Sequence, residues 1–264
     1  MKVVFSDLDG TLLHLQTYSS DAAQPALDAL KHHRIPLVFT TSKTRAEVEF
    51  WRERLDNRDP FIVENGGAIY IPHGYFGFRI PHSQQRDGYD IIEFGQPYQE
   101  LVQSLREASQ ESGCQVLGFN EMSVAEVSIR TLLSVQQAEL AKRREYDEPF
   151  EILGFGTHRL LRAIESRAKR WTRGDRFYHI TGNNDKSEAV RHLGAFFRKA
   201  HGEILAIGIG DGHNDAAFLA SVDVPIIVHS RFAAALKKAV PQSRVTQAPG
   251  PHGWNEAVLE MVAA

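Results

Sequence analysis

Short apolar runs alternate with amphipathic stretches over the first third of the chain. Residues 3–5, 35–39 and 61–63 are apolar and of strand length. Between them, apolar residues recur at helical spacing and predict helices over 21–34 and 45–55. Strands that alternate with helices favour a parallel sheet covered by helices on both faces. We therefore expect an α/β fold with a Rossmann-like, doubly wound core.

The pattern changes in the middle of the chain and then returns. Strands are predicted over 76–80 and 89–94, and a mixture of helices and short strands follows before the α/β alternation resumes. Such an interruption predicts a separate α+β unit inserted into the first. We expect a core of residues 1–80 and 183–264, with residues 81–182 forming the inserted cap domain.

Two carboxylates, Asp7 and Asp9, follow the first predicted strand and precede Gly10 and Thr11. Residues two apart on a strand point to the same side, so the two carboxylates are expected to lie close together. Neighbouring carboxylates cannot both stay charged at low cost without a cation between them, and oxygen ligands suit Mg²⁺. The alternative for a motif this short is an Asp pair that caps the next segment.

Polar clusters also follow other predicted strands, and Lys186 begins the helix after the insert. These clusters are Thr41-Ser42-Lys43 and the run from Gly210 to Asp215. In open α/β sheets, ligands bind beyond the carboxyl ends of the strands, so we expect the clusters to converge on one edge. Taken singly, Thr41 is explained as a helix cap, Lys186 as a solvated lysine, and Asp211 and Asp215 as an N-cap and an exposed helix residue.

Together, these residues suit phosphoryl transfer, in which positioning and charge neutralisation do most of the work. Asp7 is expected to attack phosphorus, and Asp9 to donate a proton to the leaving oxygen and then activate water. Thr41 is expected to hydrogen-bond the phosphoryl oxygens, and Lys186 to neutralise developing charge. Asp211 is expected to hold Mg²⁺, with Asp215 as a direct or water-mediated second partner.

In order and spacing, these motifs resemble the four motifs of the haloacid dehalogenase superfamily of phosphatases. The insert between the second and third motifs resembles the C2 cap class, which includes the Cof-type sugar phosphatases. The resemblance implies dependence on Mg²⁺ and metal ligands at Asp7, Asp9 (through its backbone carbonyl) and Asp211.

Four further strings are similar to those of mannosyl-3-phosphoglycerate phosphatases. They cover residues 41–45, 64–70, 145–150 and 177–182. The resemblance implies hydrolysis of mannosyl-3-phosphoglycerate to mannosylglycerate, a compatible solute. Glucosyl-3-phosphoglycerate, sucrose phosphate and other sugar phosphates remain open as substrates. A phosphomutase-type phosphotransferase and a regulatory protein without turnover are the alternatives from other classes.

The substrate of that family carries a phosphate, a carboxylate and a ring of hydroxyls. Arg144 is suited to pair the carboxylate in a bidentate manner, and Asp147, with Glu145 and Glu148, to accept sugar hydroxyls. The alternative for this group is a charged helix end. The expected substrate-binding residues are Ser42, Lys43, Asn65, Gly66, Arg144 and Asp147.

Composition narrows the remaining function classes. Hydrophobic residues make up 42% of the 264 residues and the formal net charge is −3, which argues against a general nucleic-acid surface. One cysteine, Cys114, excludes an internal disulfide framework. No apolar run approaches the roughly 18 residues of a membrane span. We expect a cytoplasmic enzyme that binds a small phosphorylated sugar and neither nucleic acid nor membrane; the oligomeric state is left open.

Overall fold

The computed structural model describes residues 1–174 and 176–263. The strands of this part of the chain form one sheet of nine strands and one of four. In chain order the strands are β1 (Lys2–Ser6), β2 (Leu37–Thr40), β3 (Phe61–Val63), β4 (Ala68–Pro72), β5 (Gln84–Arg86), β6 (Tyr89–Glu93), β7 (Val116–Gly118), β8 (Asp147–Ile152), β9 (Arg170–Arg173), β10 (Tyr178–Thr181), β11 (Leu205–Gly210), β12 (Val224–His229) and β13 (Arg244–Pro249).

The helices range from one turn to about four turns in length. They are α1 (Gln24–His32), α2 (Arg45–Arg54), α3 (Tyr98–Ser112), α4 (Val124–Thr131), α5 (Val135–Ala141), α6 (Thr157–Glu165), α7 (Lys186–His201), α8 (Ala216–Leu219), α9 (Ala233–Ala239) and α10 (Gly250–Ala263). None of these described helices combines the length and the apolar character that crossing a membrane requires.

The larger sheet is the doubly wound core. Its order is β13-β12-β11-β1-β2-β3-β4-β6-β5, and neighbouring strands from β13 to β3 run parallel. Alternate residues of β1 enter opposite hydrophobic cores: Val4 packs in the core that contains Trp254, and Phe5 in the core that contains Leu193 and Phe218. Because both faces are covered, the strand has the continuous apolar sequence typical of parallel sheets. The predicted fold class is confirmed.

The smaller sheet has the order β7-β8-β10-β9 and is antiparallel throughout. Helices α3 and α6 cover one face, where Leu101 and Leu160 pack against Phe150 of β8 and Ile180 of β10. A separate cluster joins α4 and α5 to the chain near Phe177. This α+β unit lies between β6 and α7 in sequence, so it is an insertion into the core.

The strands β5 and β6 lie within the range predicted for the insert, yet they extend the larger sheet. β6 pairs antiparallel with β4, with Tyr70 opposite Ile91. Ile91 and Ile92 enter the two cores on opposite faces of that sheet, which gives this segment a place in the core. The division at residues 80/81 and 182/183 stays a prediction, and the pairing favours a first crossing after Glu93.

The predicted strand over residues 76–80 is wrong. This segment is built from turns, and its apolar side chains pack onto α7: the rings of Phe76 and Phe197 are 5.0 Å apart and nearly perpendicular. The apolar pattern of residues 76–80 therefore results from burial against a helix and does not indicate strand pairing. Strand β13, in contrast, has a largely polar sequence at the edge of the sheet and was not predicted.

The joint between the two sheets is tightly packed around Tyr146. A Cβ placed on Gly67 would lie 2.4 Å from the Tyr146 Cβ, and one placed on Gly95 would lie 2.6 Å from it. Gly67 O also accepts the backbone N–H of Gly95 at 2.9 Å. On the core side, Glu64 is fully buried and accepts the backbone N–H groups of Glu145 (3.0 Å) and Tyr146 (2.9 Å). Positions 67 and 95 both require glycine because Tyr146 approaches their backbone so closely.

Candidate active site

The carboxyl end of β1 carries two carboxylates. The backbone N–H of Asp7 donates to Ile209 O at 2.9 Å, which keeps Asp7 in register with β11. Asp9 lies beyond the sheet, and its side chain is 32% exposed. The next residue, Gly10, has a φ of +78°, and a Cβ there would lie 2.6 Å from Asp211 Oδ2. This turn requires glycine because Asp211 approaches the backbone so closely.

Lys186 links carboxylates from two strand ends. Its side chain is 1% exposed, and Nζ lies 2.7 Å from Asp7 Oδ1 and 2.7 Å from Asp215 Oδ1. Burial opposes the charged ammonium, but Asp215 and Asp7 outweigh burial and raise the pKa of Lys186 above its usual range. The other oxygen of Asp215 accepts the backbone N–H groups of Asp211 (3.0 Å) and Gly212 (2.9 Å). Asp215 therefore fixes both the lysine and the turn after β11.

Asp7, Asp211 and Asp215 form an acidic cluster in which one carboxylate oxygen of each residue lies within 4.8 Å of the other two. Burial raises the pKa of Asp7 to about 7, because the attraction of Lys186 is opposed by Asp215 and Asp9. Burial, with the charges of Asp7 and Asp215, also raises the pKa of Asp211 well above its usual range. A divalent cation would remove this repulsion, and oxygen donors suit hard cations. The residues therefore fit a metal ion.

Asp9 is held by one of its two oxygens only. Lys43 Nζ lies 2.9 Å from Asp9 Oδ2 and 3.2 Å from Glu47 Oε1, and the lysine side chain is 4% exposed. Its ammonium also lies 5.1 Å from the centre of the Tyr18 ring. Asp9 Oδ1 is buried and has no hydrogen-bond partner among the described residues. This oxygen is therefore available to a substrate atom.

Thr41 is buried directly after β2, and it does not cap the helix that follows. Its N–H donates to Ile62 O at 3.1 Å, and its Oγ1 accepts the Lys43 N–H at 3.2 Å. The N-cap of α2 is Thr44, whose side chain accepts the Glu47 N–H. The explanation of Thr41 as a cap is thus excluded, and its hydroxyl proton remains available for donation to a ligand.

The loop after β3 reaches across to the smaller sheet. Asn65 and Gly66 are both left-handed, with φ of 55° and 85°. A Cβ on Gly66 would lie 2.2 Å from Asp185 O, so glycine is required there. Asn65 Nδ2 donates to Asp147 Oδ2 at 2.6 Å, and Asp147 Oδ1 lies 2.8 Å from His179 Nδ1. A buried polar chain therefore runs from the core through Asp147 into the insert.

Arg144 also crosses from the insert to the core. Its Nη1 donates to Ser42 O at 2.8 Å and its Nε to Ala141 O at 2.9 Å. Asp147 Oδ1 lies 3.7 Å from Nη1, and the side chain is only 6% exposed. The guanidinium is therefore buried, and its charge already has carboxylates of the protein nearby.

A cavity of about 120 Å³ lies between the core and the insert. Of the residues predicted for the site, those that line it are Asp7, Asp9, Ser42, Lys43, Arg144 and Asp211. A second cavity, of about 480 Å³, is lined by Asn65 and Lys186. Thr41, Gly66, Asp147 and Asp215 line neither of these cavities, and Thr41, Asp147 and Asp215 are almost fully buried beside them.

Comparison with known proteins identifies the family. The model of haloacid dehalogenase-like hydrolases matches residues 4–243. The chain belongs to this family. Its relatives include a glucosyl-3-phosphoglycerate/mannosyl-3-phosphoglycerate phosphatase of Methanococcoides burtonii, which is 38% identical over 98% of this chain and 97% of the relative. A mannosyl-3-phosphoglycerate phosphatase of Pyrococcus furiosus is 36% identical over 86% of this chain and 91% of the relative.

A solved structure of the same family has the same overall fold. It is a sugar phosphatase of haloacid dehalogenase subclass IIB, with a TM-score of 0.68, 18% identity and coverage of 99% of both chains. The prediction that this haloacid dehalogenase-like hydrolase is a phosphatase is confirmed, and the acidic cluster agrees with the metal dependence of the family.

Sequence reasoning missed several residues that line the smaller cavity of this haloacid dehalogenase-like hydrolase. They are Leu15, Tyr18, Glu47, Phe119, Thr131, Leu133, Ala141, Pro149, Gly174, Arg176, Phe177, His179, Gly212, Asn214 and Phe232. His179 belongs to the string at 177–182 on which the resemblance rested, so a signal existed there. Arg176 and Tyr18 stand outside every quoted string, and only the packing of the insert on the core brings them to the cavity.

Proposed function

We propose that this chain is a Mg²⁺-dependent phosphatase that hydrolyses the phosphate ester of mannosyl-3-phosphoglycerate and of its glucosyl counterpart. The observation that carries the proposal is the 38% identity, over 98% of the chain, to a relative named for both substrates. The buried nucleophile, lysine and acidic cluster support it, because each group that phosphoryl transfer needs is present at one edge of the sheet. The products are the glycosylglycerate and inorganic phosphate.

Asp7 is the proposed nucleophile. Its Oδ1 is fixed by Lys186 at 2.7 Å, which leaves Oδ2 to attack phosphorus. The attack forms an aspartyl-phosphate and breaks the bond between phosphorus and the ester oxygen of the glycerate group. Lys186 favours the charged nucleophile and neutralises charge that develops on the phosphoryl oxygens. Thr41 donates its hydroxyl proton to one of these oxygens.

Asp9 is the proposed acid and base. Its unpartnered Oδ1 delivers a proton to the leaving oxygen in the first step. In the second step the same carboxylate takes a proton from the water that attacks the aspartyl-phosphate. Lys43 holds the other oxygen of Asp9 at 2.9 Å and so fixes the direction of the carboxylate.

Asp7, the backbone carbonyl of Asp9 and Asp211 are the proposed ligands of Mg²⁺, with Asp215 completing the acidic cluster behind them. When bound, Mg²⁺ supplies positive charge that lowers the repulsion between the phosphate and the carboxylates. Thr11 Oγ1 donates to Asp211 Oδ1 at 3.0 Å and so orients that carboxylate. Phosphorylated substrates of this kind are confined to the compartment in which they form, and we place the enzyme in the cytoplasm.

A phosphate-release screen with the purified chain tests this proposal. The substrates are the mannosyl and glucosyl phosphoglycerates, sucrose 6-phosphate and simple hexose phosphates, each with Mg²⁺ and with EDTA. We expect the two phosphoglycerates to have kcat/KM values at least about 100-fold above the others and activity to vanish with EDTA. A preference for sucrose phosphate would refute the substrate assignment. A rate that depends on a bisphosphorylated activator would identify a phosphotransferase instead.

A further inference from the structure

The basic side chains that line the smaller cavity differ in whether carboxylates of the protein lie beside them. Lys43 lies between Asp9 and Glu47, at 2.9 and 3.2 Å. Arg144 is faced by Asp147 and, at 4.0 Å, by Glu47. Each of these charges therefore has carboxylates beside it before any substrate arrives.

Arg176 is the exception on the insert side of the cavity. Its Nη2 donates to Leu15 O at 3.0 Å, and its Nη1 contacts Tyr18 Oη at 3.3 Å and Thr131 O. All three partners are neutral, and within residues 1–174 and 176–263 no ion pair forms with this guanidinium. A charge in this state attracts an anion more strongly than one that is already paired.

The donors of Arg176 are also only partly used. A guanidinium has five N–H groups, and three contacts leave at least two of them without a partner among the described residues. Two N–H groups in this planar arrangement match the two oxygens of a carboxylate. Leu15 and Tyr18 come from the core and Thr131 from the insert, so these contacts hold the guanidinium in place where the two parts meet.

The core residues that line the cavity include several carboxylates. Asp7, Asp9 and Asp211 line the part that belongs to the core. A substrate that carries two anions would meet the metal site with its phosphate, while its second anion needs a cation some distance from these carboxylates. Arg144 is less suited to that role, since its charge already faces Asp147 and Glu47 and its side chain is 6% exposed.

We propose that Arg176, and not Arg144, binds the carboxylate of the phosphoglycerate group. By this contact the enzyme distinguishes its substrate from a sugar phosphate that has no carboxylate. The proposal rests on the proposed function, because it assigns a group of that substrate. Tyr18, whose hydroxyl donates to Thr131 O at 2.8 Å, supports the guanidinium from the core side.

The test compares mannosyl-3-phosphoglycerate with its carboxamide, which keeps the phosphate and the sugar but lacks the negative charge of the carboxylate. Arg176→Met is expected to lower kcat/KM for the acid by roughly 10- to 100-fold, mainly through KM. The fall for the carboxamide is expected to be much smaller, so the ratio between the two substrates collapses. Arg176→Lys, which keeps the charge and loses the planar fork, should retain part of the ratio.

Arg173 provides the matched control. It is exposed on β9, three residues before Arg176, and stacks on Tyr178 outside the cavity lining. Arg173→Met removes the same charge, and we expect it to leave the ratio unchanged. If Arg173→Met lowered the ratio as much as Arg176→Met does, long-range attraction and not direct contact would explain the effect, and the proposal would be overturned.

Two further outcomes would also overturn it, and they are distinguishable from failure of the proposed function. A parallel fall for acid and carboxamide in Arg176→Lys and Arg176→Met would make Arg176 a clamp between core and insert. A collapse of the ratio in Arg144→Lys, with Arg176→Met unchanged, would return the role to Arg144. Wild-type enzyme without activity on the acid would refute the substrate assignment itself, whatever the variants show.

Discussion

The two sides of the active site are built in different ways. On the core side, Asp7, Asp211 and Lys186 each lie at the end of a strand or the start of a helix. One parallel sheet brings Asp7 and Asp211 within 4.8 Å of each other, and Lys186 donates to Asp7 at 2.7 Å. On the insert side, Asp147 and Arg176 reach their positions only because the smaller sheet packs on the larger one. The core side is therefore fixed by the larger sheet, and the insert side by the contact between the two sheets.

This difference separates two tasks. The groups that we propose to act on phosphorus belong to the core side. The proposed contacts to the rest of the substrate include residues whose positions depend on the packing of the insert. We expect substitutions on the core side to abolish turnover, and substitutions on the insert side to change the choice and affinity of the substrate.

The largest effect is expected for Asp7→Asn. The amide keeps the size of the side chain but removes the nucleophile, so kcat should fall by roughly 10⁴-fold or more. Circular dichroism and the thermal midpoint should stay close to those of the wild type, because burial already opposes the charge of Asp7. Turnover within tenfold of the wild type would remove Asp7 from the role of nucleophile.

Asp211→Asn should give the next largest effect and act through the metal. Removing one charge from the cluster is expected to raise the Mg²⁺ concentration for half-maximal rate roughly 100-fold, and excess Mg²⁺ should recover part of the activity. Asp21→Asn, a change at an exposed position outside the lining of both cavities, is the control. The same Mg²⁺ titration in both variants would exclude Asp211 as a ligand.

Asp147→Asn tests the insert side. Burial disfavours the charge of Asp147, but His179, Arg144 and Asn65 outweigh it and hold its pKa below the usual range. The variant loses the charge that these donors surround, and we expect kcat/KM to fall about tenfold while the Mg²⁺ titration stays unchanged. A shifted Mg²⁺ requirement would show that the two sides are not separable as described.

The smallest effect concerns stability at the joint. Burial raises the pKa of Glu64 to about 8, against the lowering influence of Arg144 and the two backbone donors. The folded chain thus binds a proton that the unfolded chain releases near pH 4.5, and stability falls as pH rises from about 4.5 to 8. Glu64→Gln should remove this dependence.

Urea denaturation at pH 5 and pH 9 measures that effect. Between pH 5 and pH 9, the free energy of unfolding of the wild type should fall by roughly 1–3 kcal/mol more than that of Glu64→Gln. Glu188→Gln, at a partly exposed position in the first turn of α7, serves as the control. Parallel pH profiles for wild type and Glu64→Gln would show that the carboxyl is ionised in the folded chain throughout this range.

The strands of the core that carry the site were predictable from sequence, because β1, β2, β3 and β11 are apolar runs that are each followed by a polar motif. The rule that ligands bind at the carboxyl ends of parallel strands then placed Asp7 and Asp211 at one edge. Thr41 could not be separated from a helix cap until Thr44 was seen to cap α2. The residues at 76–80 misled because burial against α7 and burial in a strand give the same apolar pattern.

The insert side was less predictable for a physical reason. Arg144 binds the backbone carbonyl of Ser42, 102 residues earlier in the chain, and a carbonyl has no signature in sequence. Arg176 likewise meets Leu15 O and Thr131 O. Such contacts depend on how two sheets pack, and neither residue spacing nor residue type reports them.

The packing of Tyr146 against Gly67 and Gly95 has a consequence for protein engineering. The aromatic side chain and the two glycines come from three separate segments, and no larger residue fits at either glycine without displacing the ring. Anyone who grafts a different lid onto this scaffold to obtain a new specificity must transplant all three together. A chimera that keeps the glycines but loses the tyrosine would gain a void at this joint, and one that keeps the tyrosine but has larger residues at the glycines would have to displace the ring.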